Sequence, residues 1–291
     1  MKIYRDPIEF RDHNLKVRES GRRIGLFASL GSLHEGHLSL VDRARAENDY
    51  VLSSVFVNPL IFDRVEDADA YPYDPERDLA KLESRGVDAV VVPRREAVFP
   101  PGHVTRVTVT PREGRYETAT RPNMVTGIAT MCSKLYQWCV PHRWYFGEKD
   151  AEQVSLITQF AKDMDWPTEI VPCTSVREPD GLPRSSRNAL MTPDERALAT
   201  CVVRAIRAAK ARYDAGERTA DALTRAAADE VKAAGARVDY AALVDRASFQ
   251  DLAEATDDAL LAVAADLGRL RVLDNHRLSQ PLPPEVAGHT G

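Results

Sequence analysis

Three short apolar runs stand out along the chain: "IGLFAS" at 24–29, "VLSSVFV" at 51–57 and "VDAVVV" at 87–92. Between the first two, "HLSLVDRARAENDY" places Leu38, Leu40, Val41 and Ala44 at helical spacing among charged residues. Between the second and third, "PERDLAKLESRG" opens on a proline, is acidic early and closes on a glycine, which are helix start and stop signals. Continuous apolar strands alternating with amphipathic helices predict a parallel sheet buried on both faces. The pattern continues with strands at "RWYF" (143–146) and "TEIVPC" (168–173) and a helix over 151–164 between them.

After "REPDGLPRSSRN" the texture changes. Residues 193–234 are rich in Ala, Arg, Glu and Asp and read as two helices separated by "DAGERT". Short strands follow near "VDYAALV", "ALLAVAA" and "LRVLD". The expected fold is α/β: a Rossmann-like parallel sheet in 1–175, a smaller α+β domain in 176–281 and a disordered tail over 282–291.

Composition narrows the function classes. At 291 residues and 44% hydrophobic content, the chain can build two domains with substantial cores. A net charge of −5 argues against a nucleic-acid coat protein. The four cysteines, Cys132, Cys139, Cys173 and Cys201, include no CxxC pair, so a thiolate zinc site has no support. The N-terminus "MKIYRDPIEFRDHN" is too charged for a signal peptide, and no stretch has the length of a membrane span. These features predict a soluble, reduced, cytoplasmic protein without nucleic-acid or membrane partners.

The candidate chemistry begins at "SLGSLHEGHLSLV" (29–41), where His34 and His37 sit three apart around Gly36. A glycine-bearing turn that follows a parallel strand and opens a helix is an anion site, because the helix start offers backbone N–H groups and partial positive charge. Metal ligation lacks a third His or Cys nearby. A core role fits poorly with a turn at the sheet edge. A phosphate-facing role is favoured, since histidines there can donate to phosphate oxygens. "FVNP" (56–59) stops the second apolar run with a proline, and "FGEKD" (146–150) and "SSRN" (185–188) bring a lysine, an arginine and two hydroxyls to join the two histidines, a set suited to a polyphosphate.

With these stretches in place, the chain resembles the pantothenate synthetase (pantoate–β-alanine ligase) family of the nucleotidylyl-transferase superfamily. The likeness rests on "LGSLHEGHLSLV", "SVFVNPLIFDRVEDADAYPYDPERDLAKLESRGVDAVVVP", "FGEKDAEQVSLI", "REPDGLPRSSRN" and "LRVLDN", over about residues 1–278. "HEGH" is similar to the superfamily's HIGH-type motif, and "RSSRN" to the family's mobile loop over ATP. The resemblance implies a two-step ligase: ATP and a carboxylic acid give an acyl-adenylate and pyrophosphate, then an amine displaces AMP to form an amide. In the family the acid is pantoate, the amine is β-alanine, Mg2+ accompanies ATP and the enzyme is a homodimer. It implies phosphate contacts from His34, His37, Lys149, Ser185, Ser186 and Arg187. Gly36, Gly147 and Asp150 join Lys149 and the 185–187 loop around the nucleotide. Leu30, Asn58, Ile61, Met124 and Gln153 fall on the acid side, and no metal site built from the protein alone is expected.

The departures from the family pattern gather on that acid side. Ala28-Ser29-Leu30 replaces Pro-Thr-Met, Ile61 replaces a glutamine, Met124 replaces a histidine, and Glu152 replaces the first glutamine of "KDxQQ" while Gln153 is kept. Arg184 stands where an apolar residue is usual. Isoleucine can neither donate nor accept a hydrogen bond. An unmatched polar group in a closed pocket costs roughly 1–3 kcal/mol, about one to two decades in binding. Three readings follow: a pantothenate synthetase that tolerates Ile61; an amide ligase of the same family for another, less hydroxylated acid, with β-alanine or a similar amine, towards which the departures lean; and a nucleotide-binding protein without turnover, which the retained phosphate motifs disfavour.

Overall fold

The computed structural model describes residues 1–62, 71–110 and 115–282. Most of the tail expected to be disordered, residues 283–291, lies outside the described residues. Chain contacts divide the protein into two compact units: Met1–Gly147 with Leu156–Cys173, and Glu148–Ser155 with the chain from Thr174 onward. The second unit thus takes in residues 148–155, well ahead of the boundary expected near 175.

The first unit is built on a six-stranded sheet. Its strands are β1 (Lys2–Tyr4), β2 (Ile24–Ser29), β3 (Tyr50–Val55), β4 (Ala89–Val91), β5 (Arg143–Gly147) and β6 (Glu169–Cys173), in the order β1-β4-β3-β2-β5-β6. Every pairing is parallel. The three apolar runs and both later strands therefore fall where the pattern puts them.

Alternation along the strands explains why those runs are apolar throughout. Ile24 and Leu26 of β2, Leu52 of β3 and Trp144 of β5 enter one core with Phe10 and Val17 of α1 (Pro7–Glu19) and Leu135 and Trp138 of α6 (Pro122–Cys139). Phe27, Val51 and Tyr145 face the opposite way. They pack with Leu38, Val41 and Ala44 of α2 (Glu35–Glu47) and Leu82 of α3 (Pro75–Ser84). A strand buried on both sides has no solvent face to leave polar. Two short helices, α4 (Arg95–Val98) and α5 (Tyr116–Thr120), precede α6, and α7 (Ala151–Asp163) leads towards β6.

Strand order fixes where a ligand would collect. The connections run outward from β2 in one direction through β3 and β4, and from β5 in the other through β6. The reversal lies between β2 and β5, which are paired with Leu26 opposite Trp144. In open parallel sheets the crevice beyond the C-terminal strand ends at such a reversal is the binding position.

In the second unit, β7 (Arg237–Asp245), β8 (Ala259–Asp266) and β9 (Arg271–Arg277) form an antiparallel sheet in sequence order. It shares a core with α9 (Cys201–Asp214) and α10 (Ala220–Ala233), in which Val202, Ile206, Leu223, Val231, Leu261 and Val263 are buried together. Where the composition predicts two helices over 193–234, three are present. A capping box between Thr192 and Glu195 starts a separate short helix, α8 (Pro193–Ala199), and Thr200 closes it before α9 begins.

Candidate active site

The first unit supplies the histidine pair. Beyond β2, Gly31 has φ +103° and Ser32 φ +54°, so two successive residues turn through the left-handed region. A buried carboxylate holds that turn. Asp78 of α3, 1% exposed, accepts the Ser32 N–H at 2.7 Å and the Leu33 N–H at 2.8 Å. A Cβ at Gly31 would come within 3.1 Å of the same carboxylate. The Lys81 ammonium donates to the Leu33 carbonyl, and the Tyr71 hydroxyl to that of Gly31.

The turn delivers His34 as the N-cap of α2, its carbonyl accepting the N–H groups of His37 at 2.8 Å and Leu38 at 3.0 Å. Their i, i+3 spacing stacks the two imidazoles, with centroids 3.9 Å apart and planes 21° apart, and the His37 ring lies 5.9 Å from that of Phe27. Both are half-buried at the helix start, together with Gly36. Among the described residues no group of three or more His, Cys, Asp or Glu could hold a metal ion.

After β3 the chain enters a 3₁₀ turn, Pro59–Ile61. Asn58 is buried and bonded at both ends of its amide: Oδ1 accepts the Leu60 N–H at 3.1 Å, and Nδ2 donates to the Gly127 carbonyl of α6 at 2.9 Å. The turn is seated on Gly127. A Cβ there would lie 2.6 Å from the Leu60 carbonyl oxygen and 2.8 Å from Ile61 Cγ2. Ile61 therefore packs beside α6, on which Met124 sits nearly one turn earlier, half-buried like Leu30 at the end of β2. β5 ends at Gly147, where a Cβ would meet nothing within 4 Å. Packing among the described residues does not demand a glycine at that strand end.

The second unit holds the lysine and the loop. Glu148, Lys149 and Asp150 form a 3₁₀ turn in which the Lys149 ammonium stands 3.5 Å from the Asp150 carboxylate. Arg246 donates to the Glu148 carboxylate from Nε at 2.8 Å and from a second nitrogen. The Asn275 amide donates to the carbonyls of both Glu148 and Lys149, each at 2.9 Å. Gln153 follows, half-buried in the first turn of α7. Ser185, Ser186 and Arg187 lie beyond a small hairpin closed by Glu178 N–H to Leu182 O and Arg184 N–H to Val176 O, each 2.8 Å. Ser185 caps the next 3₁₀ turn by accepting the Arg187 N–H, and Arg187 is exposed. Arg184 stands 3.6 Å from the Glu178 carboxylate. At the hairpin's foot Arg177 forks onto the buried Asp274 carboxylate at 2.7 and 3.0 Å. Burial pushes the Asp274 carboxyl up, while Arg177 and Lys149 pull it down.

A family model described as pantoate-beta-alanine ligase matches residues 2–277. The chain belongs to the pantoate–β-alanine ligase family. The pantothenate synthetase of Roseiflexus sp. (strain RS-1) is 46% identical over 252 residues, 86% of this chain and 91% of that one. The crystal structure of pantothenate synthetase from Thermus thermophilus superposes with a TM-score of 0.90 at 36% identity, covering 96% of this chain and all of the other. That of the pantoate–β-alanine ligase from Francisella tularensis, described as complexed with β-γ ATP and β-alanine, does so with a TM-score of 0.79 at 29% identity over 97% of this chain. The pantoate–β-alanine ligases are amide-forming ligases, and the α/β fold expected from the strand pattern is the fold of their solved structures. No described helix is long and apolar enough to cross a membrane.

Among the residues singled out from the sequence, the first unit brings His34 against His37 and Ile61 onto α6. The second unit ties Lys149 to β9. Sequence reasoning passes over Asp78, Arg177, Asp274 and Asn275. Asp78 reads as one more acid in the first turn of a helix, and only its burial and its two N–H donors distinguish it. The other three lie in "REPDG" and "LRVLDN", stretches that carry the family likeness without a visible role.

Proposed function

We propose that the protein joins pantoate to β-alanine at the expense of ATP, releasing AMP and pyrophosphate. The observation that carries this reading is the family match over 2–277, with a relative named pantothenate synthetase at 46% identity. A pantoate carboxylate oxygen attacks the α-phosphorus of ATP, and the bond to pyrophosphate breaks. The β-alanine nitrogen then attacks the acyl carbon, loses a proton, and AMP leaves. Such a displacement gains most from alignment and from fixed donors around the phosphoryl oxygens.

His34 and His37 serve that role from the start of α2, with Gly36 between them at the nucleotide. Lys149 supplies a compact charge for a phosphate oxygen, and Ser185, Ser186 and Arg187 supply a loop with two hydroxyls and a guanidinium. Asp150 assists around the nucleotide, and the open side of Gly147 allows close approach of the backbone to it. To the acid we assign Leu30, Ile61 and Met124 of the first unit, with Asn58 fixing the turn that carries Ile61 through its bonds to Leu60 and Gly127, and Gln153 of the second unit.

We place a magnesium ion with the nucleotide, since Mg2+ is usually held through substrate phosphates with several waters retained rather than in an all-protein cage. When bound with ATP such an ion neutralises phosphate charge. The same reading carries a homodimer and a cytoplasmic location, where ATP is available and thiols stay reduced. Light scattering of the purified chain tests the dimer.

The deciding experiment incubates the protein with ATP, Mg2+, pantoate and β-alanine and measures AMP and pantothenate. Equal amounts of both are expected. Pyrophosphate release with another carboxylic acid but not with pantoate would overturn the choice of acid. The Ile61 side chain favours one second reading, a less hydroxylated acid, because it offers no hydrogen bond to a hydroxyl. Under the first reading, Ile61→Gln leaves kcat/KM for pantoate near the wild-type value. A rise of about one to two decades would favour the second.

A further inference from the structure

The "LRVLDN" stretch carries family likeness but no part of the chemistry above, and the structure gives it one. We propose that Asn275 is a positioning residue for adenylate formation. Its amide fixes the peptide units that aim Lys149, while the neighbouring Asp274 anchors the foot of the hairpin leading to Ser185, Ser186 and Arg187. The inference rests on the functional reading above for the role of Lys149, and on the geometry of one unit for everything else.

An asparagine amide has two N–H donors. Here Nδ2 donates to two successive carbonyls, Glu148 O and Lys149 O, both at 2.9 Å. Successive carbonyls belong to successive peptide planes, so gripping both fixes the backbone direction on either side of the Lys149 Cα. That matters for a lysine. Its four-carbon stem is flexible, and an ammonium is a point charge with no preferred plane. The backbone is the part the protein can hold still. Arg246 secures the same turn through the Glu148 side chain.

Asp274 works on the second arm. It is 2% exposed and accepts the Arg177 guanidinium through both oxygens. It also accepts the Asn275 N–H at 2.8 Å. Arg177 in turn donates to the Gly181 carbonyl at 2.9 Å, which closes the hairpin tip back on its foot. Two adjacent residues of β9 therefore hold the turn bearing Lys149 and the root of the segment bearing Ser185, Ser186 and Arg187. Removing a positioning contact of this kind costs rate out of proportion to the stability lost, because small misplacements are expensive in an in-line displacement.

The test compares Asn275→Ala with Leu273→Ala in the full-length protein. Leu273 is a buried neighbour on the same strand, and its truncation weakens the sheet without touching either carbonyl. Each half-reaction is measured separately: adenylate formation from ATP and pantoate by pyrophosphate release in a single turnover, then the chase of the enzyme-bound adenylate with β-alanine. Asn275→Ala is expected to slow adenylate formation about 10- to 100-fold and to leave the chase rate unchanged, while Leu273→Ala lowers thermal stability and changes neither rate per folded molecule. Adenylate formation at the wild-type rate in Asn275→Ala, or parallel loss of both half-reactions in the two variants, would overturn the proposal. If Asn275→Ala does not fold, Asn275→Ser keeps a single donor on a shorter arm and is expected to show the same split. If the wild type turns over no pantoate, the functional reading fails, and calorimetric ATP binding decides this inference alone. Weaker ATP binding in Asn275→Ala than in Leu273→Ala supports it, and equal binding overturns it.

Discussion

Asp78 concentrates much of the order at the head of α2 into one side chain. Its two oxygens take the N–H groups of Ser32 and Leu33 in a buried position, so the strained Gly31–Ser32 turn is held by one carboxylate. Asparagine has the same shape but one acceptor oxygen. Asp78→Asn therefore leaves one buried N–H facing an NH2 group, at a cost of about 1–3 kcal/mol. Urea unfolding is expected to show a lower midpoint, and ATP-dependent pyrophosphate release a lower rate, because the turn also sets His34. Wild-type values in both would remove Asp78 from that role. Nothing local marks this residue in the sequence: "PERDLAK" surrounds it with other charged residues of the same surface-helix character, and its partners lie 45 and 46 residues away. His34 and His37 are different. Their spacing and their place after an apolar strand made them legible, and the stacked pair follows from i, i+3 helix geometry.

The 3₁₀ turn at Pro59–Ile61 and helix α6 fit only because residue 127 has no side chain. A Cβ 2.6 Å from a backbone oxygen cannot be relieved by a rotamer change, so Gly127→Ala must push the turn away from the helix. The expected cost is about 1–3 kcal/mol of stability, as for overpacking generally. Calorimetry of the variant measures it, together with a raised KM for the acid. A second contrast concerns α8. Glu195 completes its capping box and is gripped by Arg269, and that ion pair, then the Thr192 N–H, pulls its carboxyl down to about 2 from an ordinary value of 4.5. A carboxylate lowered in the folded state stabilises fully above its unfolded value and loses that contribution as pH falls through the folded one. The melting-temperature difference between wild type and Glu195→Gln is therefore expected to be constant at neutral pH and to shrink as pH falls from 4.5 towards 2. A difference that grows in acid would contradict the assignment. Apolar run length located β2 to β6 to within two residues at each end, whereas β1, only three residues long, has no run to announce it. The same reading merged α8 with α9, because a capping box between two Ala- and Arg-rich helices leaves their shared apolar period almost unbroken.

Taken together, the two units bury all four cysteines. Burial pushes the Cys132 thiol up to about 12 and raises Cys139 and Cys201 as well. Since the thiolate is the reactive form, a disulfide reagent is expected to label no cysteine rapidly in the native protein and four after unfolding. Rapid native labelling would mean that one of these sites opens. Cys132 and Cys139 lie in α6 and are buried in the core of the first unit. Parallel topology and the histidine-bearing turn were within reach of local pattern, because hydrophobic period and run length are properties of neighbouring residues. The family followed from the order of several motifs along the chain. The partner of a buried polar group is another matter. Asp78 meets Ser32, and Asn275 meets Lys149 across 126 residues, only once the helices and strands have packed. A carboxylate or amide carries no mark in the sequence of which distant backbone group it will satisfy; packing brings the two together, and the cost of leaving either unpaired keeps them there.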